Sequence, residues 1–325
     1  MKKIIAVFTV LCILTYSFCF VGCSNNDKDD KLSIVTTIFP EYDWVRQILG
    51  DEAKNVELTL LLDSGVDLHN YQPTAKDIVT LASCDMFIYV GGHSDEWVED
   101  ALRQANNKDM VIINLFDVLG DAVKEDTALD GEEHDHEHEH EDDGHVHEND
   151  EHVWLSINNA KAVCREIAEK LGQIDPENKE KYEANYTSYS AKLDAVDSAY
   201  RAAVESAPNK TLLFGDRFPF RYLTDEYGLE YYAAFSGCSA ESEASFETIA
   251  YLAGKVDELG LSAVIKIEGS DGKIAETIIN TTSEKTAKIL TLNSMQSLTP
   301  DDAEDGVSYI SVMESNLEVI KEALR

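Results

Sequence analysis

Two series of buried-strand and amphipathic-helix signals constrain what this 325-residue chain can fold into. Continuous apolar strands that alternate with helices are typical of a parallel sheet covered on both faces. The sequence therefore predicts an α/β fold of two doubly wound parallel-sheet lobes. The predicted strands are residues 32–37, 56–62, 86–90, 110–115, 211–214, 231–234, 263–267 and 288–292. The predicted helices are residues 42–49, 73–82, 95–104, 158–171, 218–227, 246–259, 273–281 and 309–324.

A long helical segment separates the two series. Asp175 suits an N-cap and Pro176 suits a first turn, and no residue breaks the helix before Pro208. Roughly thirty helical residues give a rod of about 45 Å. We therefore predict an N-terminal lobe over residues 32–172, a rigid connecting helix over 173–208 and a C-terminal lobe over 209–325.

The N-terminus has the parts of an export signal. Lys2 and Lys3 precede an apolar run over residues 4–21, and Gly22 and Cys23 close it. An uncleaved membrane anchor is the alternative interpretation. Because polar residues follow Cys23, the site resembles a lipoprotein cleavage box in which this cysteine is acylated. The prediction is a signal peptide over 1–22 and a lipidated tether over 23–31, which places the protein outside the cytoplasm, anchored to the cell membrane.

The charge balance narrows the function classes. The formal net charge is −35, from 62 acidic and 27 basic residues, which argues against a nucleic-acid partner. It suits a surface protein or a cation binder. Beyond the tether, Cys84, Cys164 and Cys238 form no complete disulfide framework. Cys238 has no CxxC partner, so we interpret it as a thiol without a chemical role.

Residues 117–151 are acidic and His-rich without apolar periodicity, which predicts a disordered loop. Neutral imidazole binds zinc, copper or nickel, and neighbouring carboxylates raise the local cation concentration. A flexible chain loses conformational entropy on binding, so these sites should recruit metal weakly. A solvated acidic spacer is the alternative. The six histidines are His134, His136, His138, His140, His145 and His147.

Four further side chains are candidates for a cleft site, because ligands of such lobes bind beyond the carboxyl ends of the strands. His69 follows the second predicted strand, and His152 stands where the apolar pattern resumes. Asp216 and Glu268 follow two predicted strands of the second lobe. Two imidazoles with one or two carboxylates suit zinc, whereas carboxylates alone would favour calcium or manganese.

Three of these candidates also have an ordinary interpretation. His69 can be a solvated loop histidine, and His152 can be the last histidine of the acidic tract. Asp216 can be a helix N-cap, or it can pair with Arg217. The sequence contains no phosphate loop or GxSxG element, so it does not predict an enzyme.

Several motifs together resemble the metal-specific class of solute-binding lipoproteins of ABC transporters, which are receptors for zinc or manganese. They are Thr-Thr-Ile-Phe-Pro at 36–40, His-Asn-Tyr-Gln-Pro-Thr at 69–74, Gly91-Gly92 with Trp97, the His-rich insertion, His-Val-Trp-Leu at 152–155, and Asp-Pro-Glu-Asn at 175–178. The resemblance covers essentially the whole chain after the signal. It implies two lobes, a rigid connecting helix and modest closure on metal.

The resemblance also implies a ligand set. The family's first two metal-binding histidines match His69 and His152. Its third is a histidine that starts a segment ending in Tyr-Gly-Leu, and here residues 227–229 keep that ending while Asp216 takes the place of the histidine. Its fourth ligand is an acidic residue near the last strand. This chain has no acidic residue there, so the fourth ligand is Glu268, Gln296 or water.

These observations predict a lipoprotein that captures Zn²⁺, with Mn²⁺ as the alternative, in an inter-lobe cleft and delivers it to an ABC importer. The expected partners are the transporter permease and the metal ion, with membrane contact through the lipid anchor only. We expect a monomer. The alternative function is an extracellular metal-buffering or adhesin lipoprotein that acts mainly through its His-rich tract.

Overall fold

The computed structural model describes residues 31–126, 149–238 and 243–325, and residues 32–325 belong to one compact unit. Two four-stranded sheets form its framework, and every strand pair in them is parallel. The first sheet has the order β2-β1-β3-β4 and the second β6-β5-β7-β8. The strands are β1 (Leu32–Thr36), β2 (Val56–Leu60), β3 (Met86–Tyr89), β4 (Val111–Asn114), β5 (Thr211–Phe218), β6 (Glu230–Ser236), β7 (Ala263–Ile267) and β8 (Lys288–Leu292). The predicted α/β fold with two parallel sheets is confirmed.

Helices connect the strands and cover the sheets. They are α1 (Phe39–Leu49), α2 (Ala75–Ser83), α3 (Trp97–Arg103), α4 (Leu115–Leu119), α5 (Ile157–Ile174), α6 (Lys179–Ser206), α7 (Arg221–Tyr227), α8 (Phe246–Leu259), α9 (Lys273–Thr281), α10 (Pro300–Glu304) and α11 (Tyr309–Ala323). Among the described residues, no helix combines the length and the apolar character that crossing a bilayer requires.

The core explains why the strands read as continuous apolar runs. Ile34 and Val35 are successive residues of β1 that point to opposite faces of the sheet, and both are fully buried. One continuous hydrophobic cluster runs from these residues into the second sheet, where it includes Phe214 and Ile265. A separate cluster with Leu213 fills the other face of the second sheet, under α8 and α9. Both sheets are therefore covered on both faces.

The long helix begins later than the sequence indicated. Helix α6 starts at Lys179, and Asp175 instead ends the preceding helix α5. The Asp175 carboxylate accepts hydrogen bonds from the Tyr182 hydroxyl at 2.6 Å and from the Asn178 amide at 2.8 Å. An aspartate before a proline suits either helix end, and here these two bonds fix it between the helices. The lobe boundaries at residues 172 and 208 stay predictions.

The acidic excursion is more structured at its ends than predicted. Its first residues belong to α4, which Asn114 caps by accepting a hydrogen bond from the Phe116 amide at 2.8 Å. Glu125 and Asn149 form an antiparallel bridge that brings its two ends together. Residues 127–148, with all six histidines of the tract, lie outside the described residues, as do residues 1–30 with Cys23.

Strand β5 continues past its predicted end at residue 214. It reaches Phe218, with a register shift between Phe214 and Arg217 where it pairs with β6. Asp216 is therefore part of an irregular strand, and the prediction that it follows the end of that strand is wrong. Helix α7 accordingly starts at Arg221 instead of residue 218.

Candidate metal centre

The loop after β2 presents His69 at the carboxyl edge of the first sheet. The segment Leu68–Asn70 forms a single 3-10 turn, and the Asp67 carboxylate accepts a hydrogen bond from the His69 backbone amide at 3.0 Å. Leu68 is buried beneath this turn. Thr74 and Asp77 then form a capping box at the start of α2. Both ends of the loop are thus fixed, and His69 is held between them.

His152 is fully buried where the chain re-enters the fold after the excursion. The Asp150 carboxylate accepts hydrogen bonds from its backbone amide at 2.9 Å and from its Nδ1 atom at 2.8 Å. The 3-10 turn Val153–Leu155 that follows is buried as well. Within it, the Trp154 indole donates to the Ser294 carbonyl at 2.8 Å, and the Tyr309 hydroxyl donates to the Trp154 carbonyl at 2.7 Å. His152 is therefore anchored to the second lobe although it belongs to the first half of the chain.

The two imidazoles meet with their Nε2 atoms 3.3 Å apart. On the far side of each ring, Nδ1 has an acidic partner: Glu151 lies 3.2 Å from His69 Nδ1, and Asp150 lies 2.8 Å from His152 Nδ1. From these partners we assign the ring proton to Nδ1 in both residues. The Nε2 lone pair of each ring then remains available to a metal ion, as in metal sites where carboxylates orient histidine ligands.

Glu151 is itself held by the loop after β3. Its carboxylate accepts hydrogen bonds from the Ser94 amide at 2.7 Å and from the Ser94 hydroxyl, which also lies 3.0 Å from His69 Nδ1. Gly92, at φ +87°, makes room for this contact, since a Cβ atom there would lie 2.5 Å from a Glu151 carboxylate oxygen. Burial raises the pKa of Glu151, but hydrogen bonds from His69 and Ser94 outweigh it and give a net lowering. Glu151 therefore carries a negative charge beside the site.

Cys238 completes a group of three. Its Sγ atom and one nitrogen each of His69 and His152 all lie within 4.8 Å of one another, in the part of the chain that the structure describes. The cysteine is partly buried and follows β6 at the carboxyl end of that strand. Burial, followed by the charges of Asp150 and Asp126, raises the pKa of its thiol well above the usual range. The sequence-based interpretation gave this cysteine no chemical role.

The two predicted carboxylates lie in the same cavity but are engaged elsewhere. Asp216 accepts hydrogen bonds from the Arg217 amide at 2.9 Å and from the Ile267 amide at 3.3 Å. Glu268 accepts from the Ser294 amide at 2.7 Å and from the Ser294 hydroxyl at 2.6 Å. Neither belongs to the group of His69, His152 and Cys238.

Gln296, the other protein candidate for a fourth ligand, is buried at the cavity wall. Its side-chain nitrogen donates to the Ser294 hydroxyl at 3.2 Å, whereas its side-chain oxygen has no hydrogen-bond partner among the described residues. A buried amide oxygen without a partner loses its hydration without compensation. Gln296 is thus freer than Glu268 to coordinate a cation.

His69, Cys238, Asp216, Glu268 and Gln296 line one cavity of about 1190 Å³ at the carboxyl ends of the strands of both sheets. The fully buried His152 adjoins this cavity through its 3.3 Å contact with His69. An ion pair crosses it, with Arg217 Nη2 2.7 Å from the Asp67 carboxylate. Arg217 was considered as a partner of Asp216, but it pairs with Asp67 instead. Burial raises the pKa of Asp67, and the Arg217 guanidinium and His69 outweigh that effect, which gives a net lowering. The sequence predicted a site at this edge because loops after parallel strands meet there.

Known proteins are similar to this chain in both sequence and fold. The chain is 35% identical over 323 residues to the zinc-binding lipoprotein AdcA of Streptococcus pneumoniae serotype 4, across 99% of this chain and 61% of AdcA. It is 33% identical over 302 residues to the high-affinity zinc uptake system protein ZnuA of Bacillus subtilis, across 93% of this chain and 90% of that protein. The chain therefore spans about three fifths of the AdcA sequence and most of the ZnuA sequence.

A solved structure extends this likeness to the backbone. The Zn(II)-bound ZnuA-like domain of Streptococcus pneumoniae AdcA matches with a TM-score of 0.69 at 30% identity, covering 90% of this chain and 99% of that domain. The family model of ZnuA, described as the periplasmic component A of the zinc-uptake complex, matches residues 34–323, which include both sheets and the histidine pair. The chain therefore belongs to the ZnuA family of zinc-uptake components.

Proposed function

We propose that this protein is an extracytoplasmic solute-binding lipoprotein that captures Zn²⁺ in the cavity between its two sheets and delivers it to an ABC importer. It acts by binding and release, without a catalytic step. The supporting observation is the convergence of the His69 and His152 Nε2 atoms, 3.3 Å apart, with both Nδ1 atoms facing carboxylates.

The spacing of the two imidazoles suits zinc. Two nitrogens bound to one tetrahedral zinc ion at about 2.0–2.1 Å lie about 3.4 Å apart. The Nε2 atoms already have nearly this separation, 3.3 Å. Binding therefore requires little rearrangement of the pair, and the entropic penalty of ordering the ligands is small. The relatives named as zinc-binding or zinc-uptake proteins support the same choice of metal.

Acidic residues around the site assist capture. Asp150 and Glu151 contact the Nδ1 atoms of the imidazoles and orient the rings as ligands. The net charge of −35 attracts a divalent cation from solution. We propose that the histidines between residues 134 and 147 recruit metal weakly before it enters the cavity, and that acylated Cys23 keeps the protein at the membrane beside its permease.

The test is calorimetric titration of residues 24–325 lacking 132–148 with Zn²⁺ and with Mn²⁺. We expect one tight zinc site, and we expect His69→Ala to abolish it. His93→Ala is the matched control, because His93 lines the same cavity while its Nδ1 faces Glu96 at 3.0 Å. This control should bind zinc as the parent does.

Other outcomes assign a different role. A preference for Mn²⁺ would keep the receptor function and change its cargo. No tight site in the shortened protein, with strong binding by the full chain, would overturn the receptor proposal. The metal-buffering lipoprotein that acts through its His-rich tract would then be the function.

A further inference from the structure

We propose that Cys238 is the third protein ligand of the cavity metal, so that the site offers two imidazole nitrogens and one thiolate sulfur. This inference rests on the proposed zinc function and specifies its chemistry. It is carried by the grouping of the Cys238 sulfur with one nitrogen each of His69 and His152, all within 4.8 Å of one another. No carboxylate oxygen of Asp216 or Glu268 joins this group.

The chain approaches the histidine pair closely just before Cys238. Gly237 packs against the His152 ring, since a Cβ atom there would lie 3.2 Å from His152 Cε1 and 2.8 Å from the Phe218 carbonyl oxygen. A side chain at position 237 would push this segment away from the ring. Glycine thus permits a contact that brings the next residue, Cys238, to the coordinating side of the imidazoles.

The distances leave a small closing movement. A sulfur and a nitrogen that share one tetrahedral zinc lie about 3.6 Å apart, from Zn–S of about 2.3 Å and Zn–N of about 2.0–2.1 Å. The three ligand atoms now lie at most 4.8 Å from one another, so the sulfur needs to move by no more than about 1 Å. A side chain at the end of an edge strand can make this movement. On binding, the S–H bond of Cys238 is broken, an S–Zn bond forms and the proton passes to solvent.

The alternative ligands would have to give up bonds from backbone amides, whereas the Cys238 thiol bonds to the Asp126 side chain through the proton that metal binding displaces. Asp216 would lose the Ile267 amide, which links β5 to β7, and Glu268 would lose the Ser294 amide and hydroxyl. Breaking these bonds leaves buried amide donors without acceptors, which is unfavourable. Cys238 therefore takes the place of the third histidine that this chain lacks.

A thiolate ligand changes which cations the site accepts. Soft sulfur ligands favour zinc and other thiophilic ions, whereas manganese prefers oxygen ligands. The site should therefore bind Zn²⁺ and Cd²⁺ and discriminate against Mn²⁺. Replacing the thiol by a hydroxyl should weaken that discrimination as well as the affinity for zinc.

The test uses the full-length chain loaded with Co²⁺, which reports its ligands by absorption. Wild-type protein should show a near-ultraviolet thiolate-to-cobalt charge-transfer band, and Cys238→Ser should lose it. Zinc affinity, measured by competition with a chromogenic chelator, should fall in Cys238→Ser by at least roughly 100-fold, the upper end of what loss of an outer-shell partner costs. Cys238→His should restore tight zinc binding without the band, and Asp216→Asn should keep both.

The outcomes separate this inference from the proposed function. If wild-type protein shows no charge-transfer band and Cys238→Ser binds zinc normally while His69→Ala does not, Cys238 is not a ligand and the receptor function stands. If wild-type protein binds no zinc tightly, the proposed function is overturned. Thermal unfolding of the metal-free proteins checks that Cys238→Ser folds as wild type does.

Discussion

Arg217 on β5 and Asp67 in the loop after β2 form an ion pair of 2.7 Å between residues 150 positions apart in the sequence. The two carboxylate oxygens of Asp67 have different partners. One accepts from Arg217 and the other from the backbone amide of His69. Asp67 therefore couples the contact between the sheets to the position of a proposed metal ligand.

Loss of that ion pair should speed the release of zinc. In Arg217→Met the Asp67 carboxylate keeps its bond to His69 but loses its link to β5, so the His69 loop becomes looser. We expect the zinc dissociation rate to rise about fivefold, which corresponds to roughly 1 kcal/mol for a partly exposed pair. Stopped-flow mixing with excess chelator measures it. Lys273→Met, which removes an exposed pair with Asp271, is the control, and an equal rate in both variants would contradict the coupling.

Asp150→Asn should weaken zinc binding without unfolding the protein. The asparagine oxygen can still accept from the His152 backbone amide, but the negative charge behind His152 Nδ1 is lost. Removal of such outer-shell partners typically lowers metal affinity by about 10–100-fold. Chelator competition gives the affinity. Asp121→Asn, at an exposed position, serves as the control, and unchanged affinity in Asp150→Asn would show that this carboxylate does not tune the ligand.

Glu41 should make the stability of the metal-free protein fall as the pH rises. Its carboxyl group is fully buried at the start of α1 and accepts hydrogen bonds from the Thr37 and Ile38 amides, at 2.9 and 3.3 Å. Burial, and next the nearby Asp95, raises the pKa of Glu41 from 4.5 to about 8. Between these values the folded protein holds a proton that the unfolded chain releases. The contribution of protonated Glu41 to stability is thus complete below pH 4.5 and is lost as the pH rises through about 8.

The variant Glu41→Gln removes this proton while keeping an oxygen that can accept the same hydrogen bonds. The unfolding free energy of Glu41→Gln minus that of wild type should increase as the pH rises, by up to about 1.4 kcal/mol per pH unit, the limit for one proton. Urea denaturation at several pH values between 4.5 and about 8 tests this. Glu57→Gln, an exposed change in β2, should follow wild type. Parallel curves for Glu41→Gln and wild type would rule the effect out.

Gly237→Ala should reduce both stability and zinc affinity. The added methyl group would lie 2.8 Å from the Phe218 carbonyl oxygen and 3.2 Å from the His152 ring. Overpacking of this kind typically destabilises by about 1–3 kcal/mol. The matched control is Gly254→Ala in α8, where no atom lies within 4 Å and alanine favours the helix by up to about 1 kcal/mol. Thermal unfolding with and without zinc compares them, and equal melting temperatures for the two variants would refute the steric argument.

The features that the sequence predicted depend on local chemistry. The central strands β1, β3, β5 and β7 appear as apolar runs because both faces of each sheet are buried there. The start of α6 was wrong because Asp175 satisfies the rules for either helix end. The predicted length of β5 was wrong because its continuation depends on the pairing of Arg217 and Phe218 with β6, a strand that follows later in the sequence.

The site was predicted only in part, for the same reason. His69 and His152 stand out because each begins or ends a recognisable segment. Cys238 and Ser94 come close to them only after several distant segments have packed, so spacing in the sequence gives no signal for these two residues. The acidic pair at residues 150–151, directly before His152, was available as a signal of outer-shell carboxylates.

The hydrophobic cluster that continues from the first sheet into the second has a thermodynamic consequence. Two lobes with separate cores would melt independently, whereas lobes that share a buried core and the Tyr309–Trp154 hydrogen bond lose their order together. Calorimetry should therefore record a single endotherm whose calorimetric and van't Hoff enthalpies agree. Zinc binds only the folded state, so it should raise the temperature of that one transition and protect both sheets equally.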